Sequence, residues 1–317
     1  MTGVSVIIPL YNKAPYILRA LDSVAAQTFK DFEVIVVDDG STDGGGGIVE
    51  RYPDQRFRLV RQANAGPGAA RNRGIREAQA PLVAFLDADD RWLPAYLETN
   101  VRILEEHPEA AAVGGGWIEY PSQIPCAKAW QPRGISEGVH RVSPGTSGKL
   151  LNSMATYMTP SMTILRAGEL RLRGGFYEHQ CRFAEDSMLW LNVLLHSPVY
   201  LHLTPLTEFH REASGLSRGD GGPRPIEPYL EHPEILRDLC PRELRHALDG
   251  AYTVRACRSA CMLSYWGDWR RARELTNRFV SARDWRAPLF FQALAAGAPW
   301  TAWAARQVRK HRQRLVG

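Results

Sequence analysis

The stretch Leu82–Asp90 (Leu-Val-Ala-Phe-Leu-Asp-Ala-Asp-Asp) runs apolar residues straight into Asp87, Asp89 and Asp90. A short, wholly apolar run predicts a strand buried on both faces of a parallel sheet. The carboxylates then fall at the strand's carboxyl end, where open α/β sheets bind ligands. So many acids this close repel one another unless a positive charge neutralises them. The residues alone leave two readings open. One is a site for a divalent cation such as Mg2+ or Mn2+, whose hard character suits carboxylate and phosphate oxygens. The other is a solvated acidic turn that caps a helix starting near Pro94.

The preceding chain repeats the pattern. Val4–Leu10 reads as a buried strand, Tyr11-Asn12-Lys13 as the turn at its end, and Pro15 suits the first turn of a helix. Ile17, Leu18, Leu21, Val24 and Ala25 follow at helical spacing, and Phe32–Val37 is a further strand ending in Asp38-Asp39-Gly40-Ser41. Strand, helix, strand is a βαβ unit, which implies a right-handed crossover and a parallel sheet. The run Gly44–Gly47 lacks both the Gly-Lys-Ser/Thr ending of a P-loop and GxGxxG spacing, so it reads as a flexible surface loop. Phe57–Arg61 is the next strand, and Asn64–Gly74 is a turn entering a helix in which Arg71 and Arg73 could face an anionic ligand or lie on an ordinary exposed face. Three strand ends, at Tyr11-Asn12, Asp38-Asp39 and Asp87–Asp89, therefore share one rim of the sheet. That convergence argues for a ligand site.

Four segments carry a resemblance. Val-Ser-Val-Ile-Ile-Pro-Leu-Tyr-Asn, Val-Ile-Val-Val-Asp-Asp-Gly-Ser-Thr-Asp, Ala-Arg-Asn-Arg-Gly and Phe-Leu-Asp-Ala-Asp-Asp, in this order, resemble the family 2 glycosyltransferases. The resemblance implies the GT-A fold, an α/β architecture with a Rossmann-like, mostly parallel central sheet flanked by helices. It also implies a nucleotide-sugar donor. In that frame Pro9, Tyr11 and Asn12 would lie against the base and Asp39 would bind base or ribose. Arg71 would lie near the nucleotide, and Asp87 with its neighbour Ala88 would meet ribose or metal. Asp89 would hold Mg2+ or Mn2+ on the diphosphate.

The second half resembles the family in two further places. Met158–Glu178 matches a short strand, a small helix and a Gly-Gly-Phe turn; Ala184-Glu185-Asp186 then opens a helix over Ser187–His196. A carboxylate in the first turn of a helix is kept ionised by the dipole and can act as general base on a hydroxyl. The resemblance gives that role to Asp186, with Glu185 supporting it or binding acceptor; the plain alternative is that the pair only caps the helix. Thr207–Arg218 departs from the family's aromatic-Arg-x-His pattern, because His210 follows Phe209 directly and Glu212 stands at the histidine's place. His210 is thus a candidate metal ligand or phosphate contact beside an ordinary structural histidine. Residues 121–148, rich in Pro, Gly and Ser, predict a long loop serving as a lid, an acceptor wall or a mere insertion.

These readings place a GT-A catalytic domain at 1–218, with a nucleotide-binding half at 1–117 and an acceptor half at 118–218. A linker follows at 219–228, and a helical C-terminal region with a basic tail at 229–317. Composition bears mainly on partners. The net charge is +5, and Arg306, Arg309, Lys310, Arg312 and Arg314 supply as much, so the basic balance belongs to the tail and does not point to nucleic acid. The uncharged stretch Ala287–Ala305 carries Phe290, Trp300 and Trp303 but is broken by Pro288, Gly297 and Pro299. With the tail it suggests contact with an anionic membrane surface; packing on the domain and a membrane span are the other readings. Five cysteines do not form a disulfide framework, and the N-terminus does not read as a signal peptide, which favours the cytoplasm, or its face of a membrane. The expected function is transfer of a sugar from a nucleotide-diphosphate sugar, UDP favoured over GDP and dTDP, to an acceptor hydroxyl with inversion. The acceptor is a glycan, a lipid-linked glycan or another hydroxyl, in cell-surface polysaccharide or glycan biosynthesis. The rivals are a catalytically inactive nucleotide-sugar-binding or scaffolding protein at the membrane and a nucleotidyltransferase. The latter lacks its Gly-rich basic loop here, since Tyr11-Asn12-Lys13-Ala14-Pro15 occupies that place.

Overall fold

The structure is a computed structural model that describes residues 3–178, 181, 183–210, 213 and 225–280. Strand β1 (Val4–Leu10) is central. Val4, Val6, Ile8 and Leu10 pack with Ile17, Leu21 and Val24 of helix α1 (Ala14–Ala25) in one hydrophobic layer, whereas Ile7 belongs to the layer on the opposite face. Then come β2 (Phe32–Asp38), α2 (Gly45–Glu50), β3 (Phe57–Arg61), α3 (Pro67–Glu77) and β4 (Leu82–Phe85). These strands are mutually parallel and ordered β3-β2-β1-β4. The order reverses at β1, so a crevice opens beyond the carboxyl ends of β1 and β4, at the topological switch point. Gly74 lets α3 lie flat on β1, since a Cβ there would come 2.4 Å from the Ile7 side chain.

The next elements are β5 (Arg91–Trp92), α4 (Tyr96–Glu106), β6 (Ala112–Tyr120), β7 (Ile124–Pro125), α5 (Ala127–Trp130) and β8 (Gly138–His140). They are followed by α6 (Gly148–Tyr157), β9 (Thr163–Arg166), α7 (Ala167–Arg173), α8 (Glu185–His196) and β10 (Val199–His210). The sheet continues from β4 as β9-β6-β10-β5, with β9 antiparallel to both neighbours and β6 parallel to β10. Helices α9 (Pro228–Glu231), α10 (Pro233–Leu239), α11 (Arg245–Trp266) and α12 (Trp269–Phe279) close the described chain. Leu248, Ala251 and Tyr252 of α11 share one core with Leu151 of α6 and Trp190 of α8. Helices α6 and α11 meet backbone to backbone at Gly148 and Gly250, where a Cβ on Gly148 would lie 2.1 Å from the Gly250 carbonyl carbon.

Several expectations are corrected. The glycine run is no loop: Gly45, Gly46 and Gly47 form the first turn of α2 after Gly44 at φ 85°. A Cβ on Gly46 would sit 2.4 Å from Asp38 Oδ2, so the run lets the turn close over that carboxylate. The helix expected over Trp92–Glu106 begins at Tyr96, because Arg91 and Trp92 pair antiparallel with β10. Trp92 stacks on Tyr96 with ring centroids 4.1 Å apart. Residues 121–148 are not a structureless loop. They hold β7, α5 and β8, and Trp130 is buried against Trp117 and Tyr157. Of the expected linker, 219–224 lies outside the described residues, while Ile226 and Glu227 are buried, the latter bound to Arg255 and Ser259 of α11. The aromatic stretch and basic tail at 287–317 also lie outside the described residues. Among the described residues no helix is long and apolar enough to cross a membrane.

Candidate active site

The crevice beyond β1 and β4 is a cleft of about 380 Å³ lined by Pro9, Tyr11, Lys13, Asp39, Arg71, Asp87, Ala88 and Asp89, among others. Each is held there for a local reason. The loop after β1 is fixed by Asn12, which has φ 49° and accepts a hydrogen bond from the Thr42 backbone N–H at 2.9 Å. Asn12 therefore braces the loop and is not among the lining residues, unlike Tyr11 beside it. Asp39 accepts from Gln62 Nε2 at 2.8 Å and from the N–H groups of Ala65 and Gly66, both at 2.9 Å. Its carboxylate thus shapes the turn into α3 as well as lining the cleft wall.

The acidic cluster is not a solvated turn. Asp89 and Asp90 are 8% and 2% exposed, and the helix after them carries Ala95 at its N-cap, with no side-chain cap. Asp90 is structural: it accepts from Ser161 Oγ at 2.6 Å and from the His210 N–H at 3.1 Å. Burial, then the charges of Asp89 and Asp87, push its carboxyl well above the usual range. Asp89 is also pushed up by burial and by Asp87, against the pull of Lys13. The Lys13 ammonium donates to Asp89 Oδ2 at 2.6 Å, and the Arg19 guanidinium donates to the Asp89 carbonyl at 2.5 Å. Asp87 stays a third exposed, with one oxygen 2.6 Å from Arg71. His210 is buried at the end of β10, stacked on Tyr120, with Nε2 3.7 Å from Glu208. It touches the acidic cluster through its backbone N–H on Asp90 and does not line the cleft.

Arg71 joins this cleft to the second half of the chain. One guanidinium nitrogen donates to Asp87 at 2.6 Å and another to Glu185, in the first turn of α8, at 2.5 Å. Burial works against its charge, but Asp87 and Glu185 outweigh burial and raise its pKa. The planar fork, stacked over the Phe176 ring at 5.2 Å, suits such bridging. Asn72 locks the Gly-Gly-Phe turn onto α3 by accepting from the Phe176 N–H and donating to its carbonyl, both at 2.8 Å. Asp186, next to Glu185, takes a hydrogen bond from Trp190 Nε1 at 3.3 Å. Burial, followed by the adjacent Glu185 charge, raises its pKa to about 7, with Arg71 pulling the other way. A carboxylate poised there exchanges protons readily at neutral pH.

The donor set fits a divalent cation. Asp87 and Asp89 present hard oxygens to one cleft, and Mg2+ or Mn2+ characteristically takes one or two carboxylates and completes its shell with phosphate and water. Among the described residues no group of three or more His, Cys, Asp and Glu forms a self-sufficient cage. The sequence reading missed Lys13 as a partner of Asp89, Arg19 on its carbonyl, and Ser161, which ties Asp90 to the Asp87 N–H. A cation directly after a strand that shares a rim with acids was a usable signal for Lys13; nothing in the sequence around Ser161 pointed to it.

A mixed sheet with a cleft at its switch point and a carboxylate pair opening α8 has the GT-A architecture. Solved structures agree on the fold. Over 98% of this chain and 92% of the other, it superposes on Staphylococcus aureus TarS residues 1–349, a structure in complex with UDP-GlcNAc, with TM-score 0.70 and 21% identity. It also superposes on the Pyrobaculum calidifontis mannosyltransferase PcManGT, in complex with GDP-Man and Mn2+, over 96% and 84% with TM-score 0.57 and 21% identity. The Glycosyl transferase family 2 profile matches residues 5–166, and the chain belongs to that family. The uncharacterized glycosyltransferase YibD of Escherichia coli (strain K12) is 41% identical over 231 residues, 66% of this chain and 64% of YibD. EpsJ of Bacillus subtilis (strain 168), also an uncharacterized glycosyltransferase, is 32% identical over 188 residues, 58% of this chain and 54% of EpsJ. Other curated relatives are longer still: the match spans 16% of GlyA of Streptococcus pneumoniae serotype 4.

Proposed function

We propose that the chain transfers a sugar from a nucleotide-diphosphate sugar, UDP favoured, to an acceptor hydroxyl with inversion at the anomeric carbon. The cell-surface glycan or polysaccharide pathway is its expected setting. The observation that carries this reading is the bridge from the cleft to α8: Arg71 pairs with Asp87 on the cleft wall and with Glu185, the neighbour of Asp186. In this reading Asp186, whose pKa is raised to about 7, is the general base, and the cleft lined by Pro9, Tyr11 and Asp39 takes the nucleotide. Pro9 and Tyr11, which line the cleft, would contact the nucleobase. Asp87 and Asp89 would hold Mg2+ or Mn2+, which when bound neutralises charge developing on the leaving diphosphate. Glu185, through Arg71, fixes where α8 begins, and Asp186 takes the acceptor hydroxyl's proton as that oxygen attacks. The UDP-GlcNAc bound by TarS and the GDP-Man and Mn2+ bound by PcManGT support the same donor chemistry.

Calorimetric titration with UDP, GDP, dTDP and CDP, each with and without Mn2+, tests the donor site. The expected result is tight, Mn2+-dependent binding of UDP and weak binding of the others. No binding by any of them would overturn the donor reading. For the acceptor side we propose that 287–317 brings the protein to an anionic membrane, where a lipid-linked glycan would be met. In flotation with phosphatidylglycerol vesicles, deleting 287–317 should leave the protein in the soluble fraction; undiminished flotation would refute the membrane role.

A further inference from the structure

We propose that Lys13 acts as a counter-charge that excludes a lone divalent cation from Asp89, so that metal is loaded only together with the donor's diphosphate. This rests on the donor reading above. The Lys13 ammonium lies 2.6 Å from Asp89 Oδ2 and 2.5 Å from the Ala213 carbonyl. It lines the same cleft as Asp87 and Asp89. A free cation approaching Asp89 therefore meets a largely buried carboxylate whose Oδ2 already holds an ammonium, and it is repelled by that charge. The neighbouring Asp87 carboxylate is engaged on one oxygen by Arg71. Neither acid is an unneutralised anion waiting for metal.

The two counter-charges differ in how they can respond. Arg71 is 5% exposed and gripped at both ends of a rigid fork, so it cannot leave. Lys13 is 24% exposed, and its charge rides on a flexible four-carbon stem. It also stands at the N-cap of α1, in the loop after β1. A nucleoside diphosphate entering with its cation brings phosphate oxygens that the ammonium can pair with instead of Asp89. The exchange then conserves charge: the cation takes Asp89, and Lys13 takes phosphate. A metal ion alone offers Lys13 no such partner. Lys13 thereby adds to the coupling that phosphate ligation of the metal already gives, and the coupling acts equally in both directions.

Mn2+ binding followed by electron paramagnetic resonance, with and without UDP, tests this on the full chain and on Lys13→Met and Lys13→Arg. The wild type should bind Mn2+ weakly alone and at least about tenfold more tightly with UDP, an effect of one charge across a short, partly buried distance. Lys13→Met should bind Mn2+ alone about tenfold more tightly than wild type and show a gain from UDP about tenfold smaller, keeping the part that phosphate ligation supplies. Lys13→Arg should keep the wild-type pattern. Equal Mn2+ affinity of Lys13→Met and wild type without nucleotide would overturn the proposal, and so would tight binding of lone Mn2+ by wild type. Failure of the donor reading is distinct from both: UDP would then bind neither protein, while the gain of Lys13→Met for Mn2+ alone would persist.

Discussion

Asp186→Asn is expected to lower the turnover rate for sugar transfer by about 10²–10⁴-fold, the usual contribution of a general base, while changing the donor's Kd by less than about threefold. The geometry motivates the asymmetry. Asp186 lies on α8, is bound by Trp190, and is absent from the walls of the donor cleft. Asn keeps the shape and can still accept from Trp190, but it cannot take a proton. Retention of most of the activity would remove Asp186 from the reaction. The pH profile is a second readout. Because burial and Glu185 raise the Asp186 pKa to about 7, kcat/KM for the wild type should fall about tenfold per pH unit below 7 and level off above it. Stability should move the opposite way. A carboxyl whose pKa is higher folded than unfolded binds more protons in the native state between about pH 4 and 7, so its contribution is full below that window and is lost as pH rises through it. Asp186→Asn should therefore raise the melting temperature at pH 8, by an amount worth on the order of 1 kcal/mol after allowance for partial exposure, and change it little at pH 5. Thermal unfolding at both values checks this.

Arg71→Ala should cost about 3–5 kcal/mol of stability, the scale expected when one member of a buried ionic group is removed and its partners are left unpaired. Two carboxylates depend on it, Asp87 at 2.6 Å and Glu185 at 2.5 Å, each on a different nitrogen. Lys cannot serve both, because its single ammonium would have to span what a fork spans. Arg71→Lys should consequently keep only part of the stability and lose transfer. Urea unfolding reads the first effect. A cycle with Glu185→Gln separates the pair from its parts: if the partner left behind is the penalty, Glu185→Gln should recover a share of what Arg71→Ala loses. An Arg71→Ala protein within 1 kcal/mol of wild type would refute this account of the network. Where buried replacements are well packed, ionic groups of this kind often add little net stability. We therefore place the value of Arg71 in register, since it sets the start of α8 against the carboxyl end of β4.

Much of this was legible along the chain. The apolar runs at Val4–Leu10, Phe32–Val37 and Leu82–Leu86 read as strands covered on both faces, and in a parallel sheet their polar ends meet on one rim because the strands point the same way. The acids at Asp39, Asp87 and Asp89 were found by that rule, and all line the cleft. Local signals failed where the deciding partner was distant. The glycines of α2 looked like a loop because their reason, the Asp38 carboxylate beneath Gly46, belongs to another element. Trp92 carried helical spacing, yet pairing with Thr207 on β10 drew Arg91 and Trp92 into the sheet.

The residues alone determined the layer architecture, the parallel nucleotide half and the chemical types gathered at its edge, because strand and helix periodicity and strand-end polarity are local properties of a chain. Only the tertiary structure decided which cation meets which acid. Lys13 and Asp89 are 76 positions apart, and Arg71 and Glu185 are 114 apart. Charge pairing across such separations leaves no periodic trace in a sequence. It follows from where the sheet order reverses and from how α8 is packed back against α3.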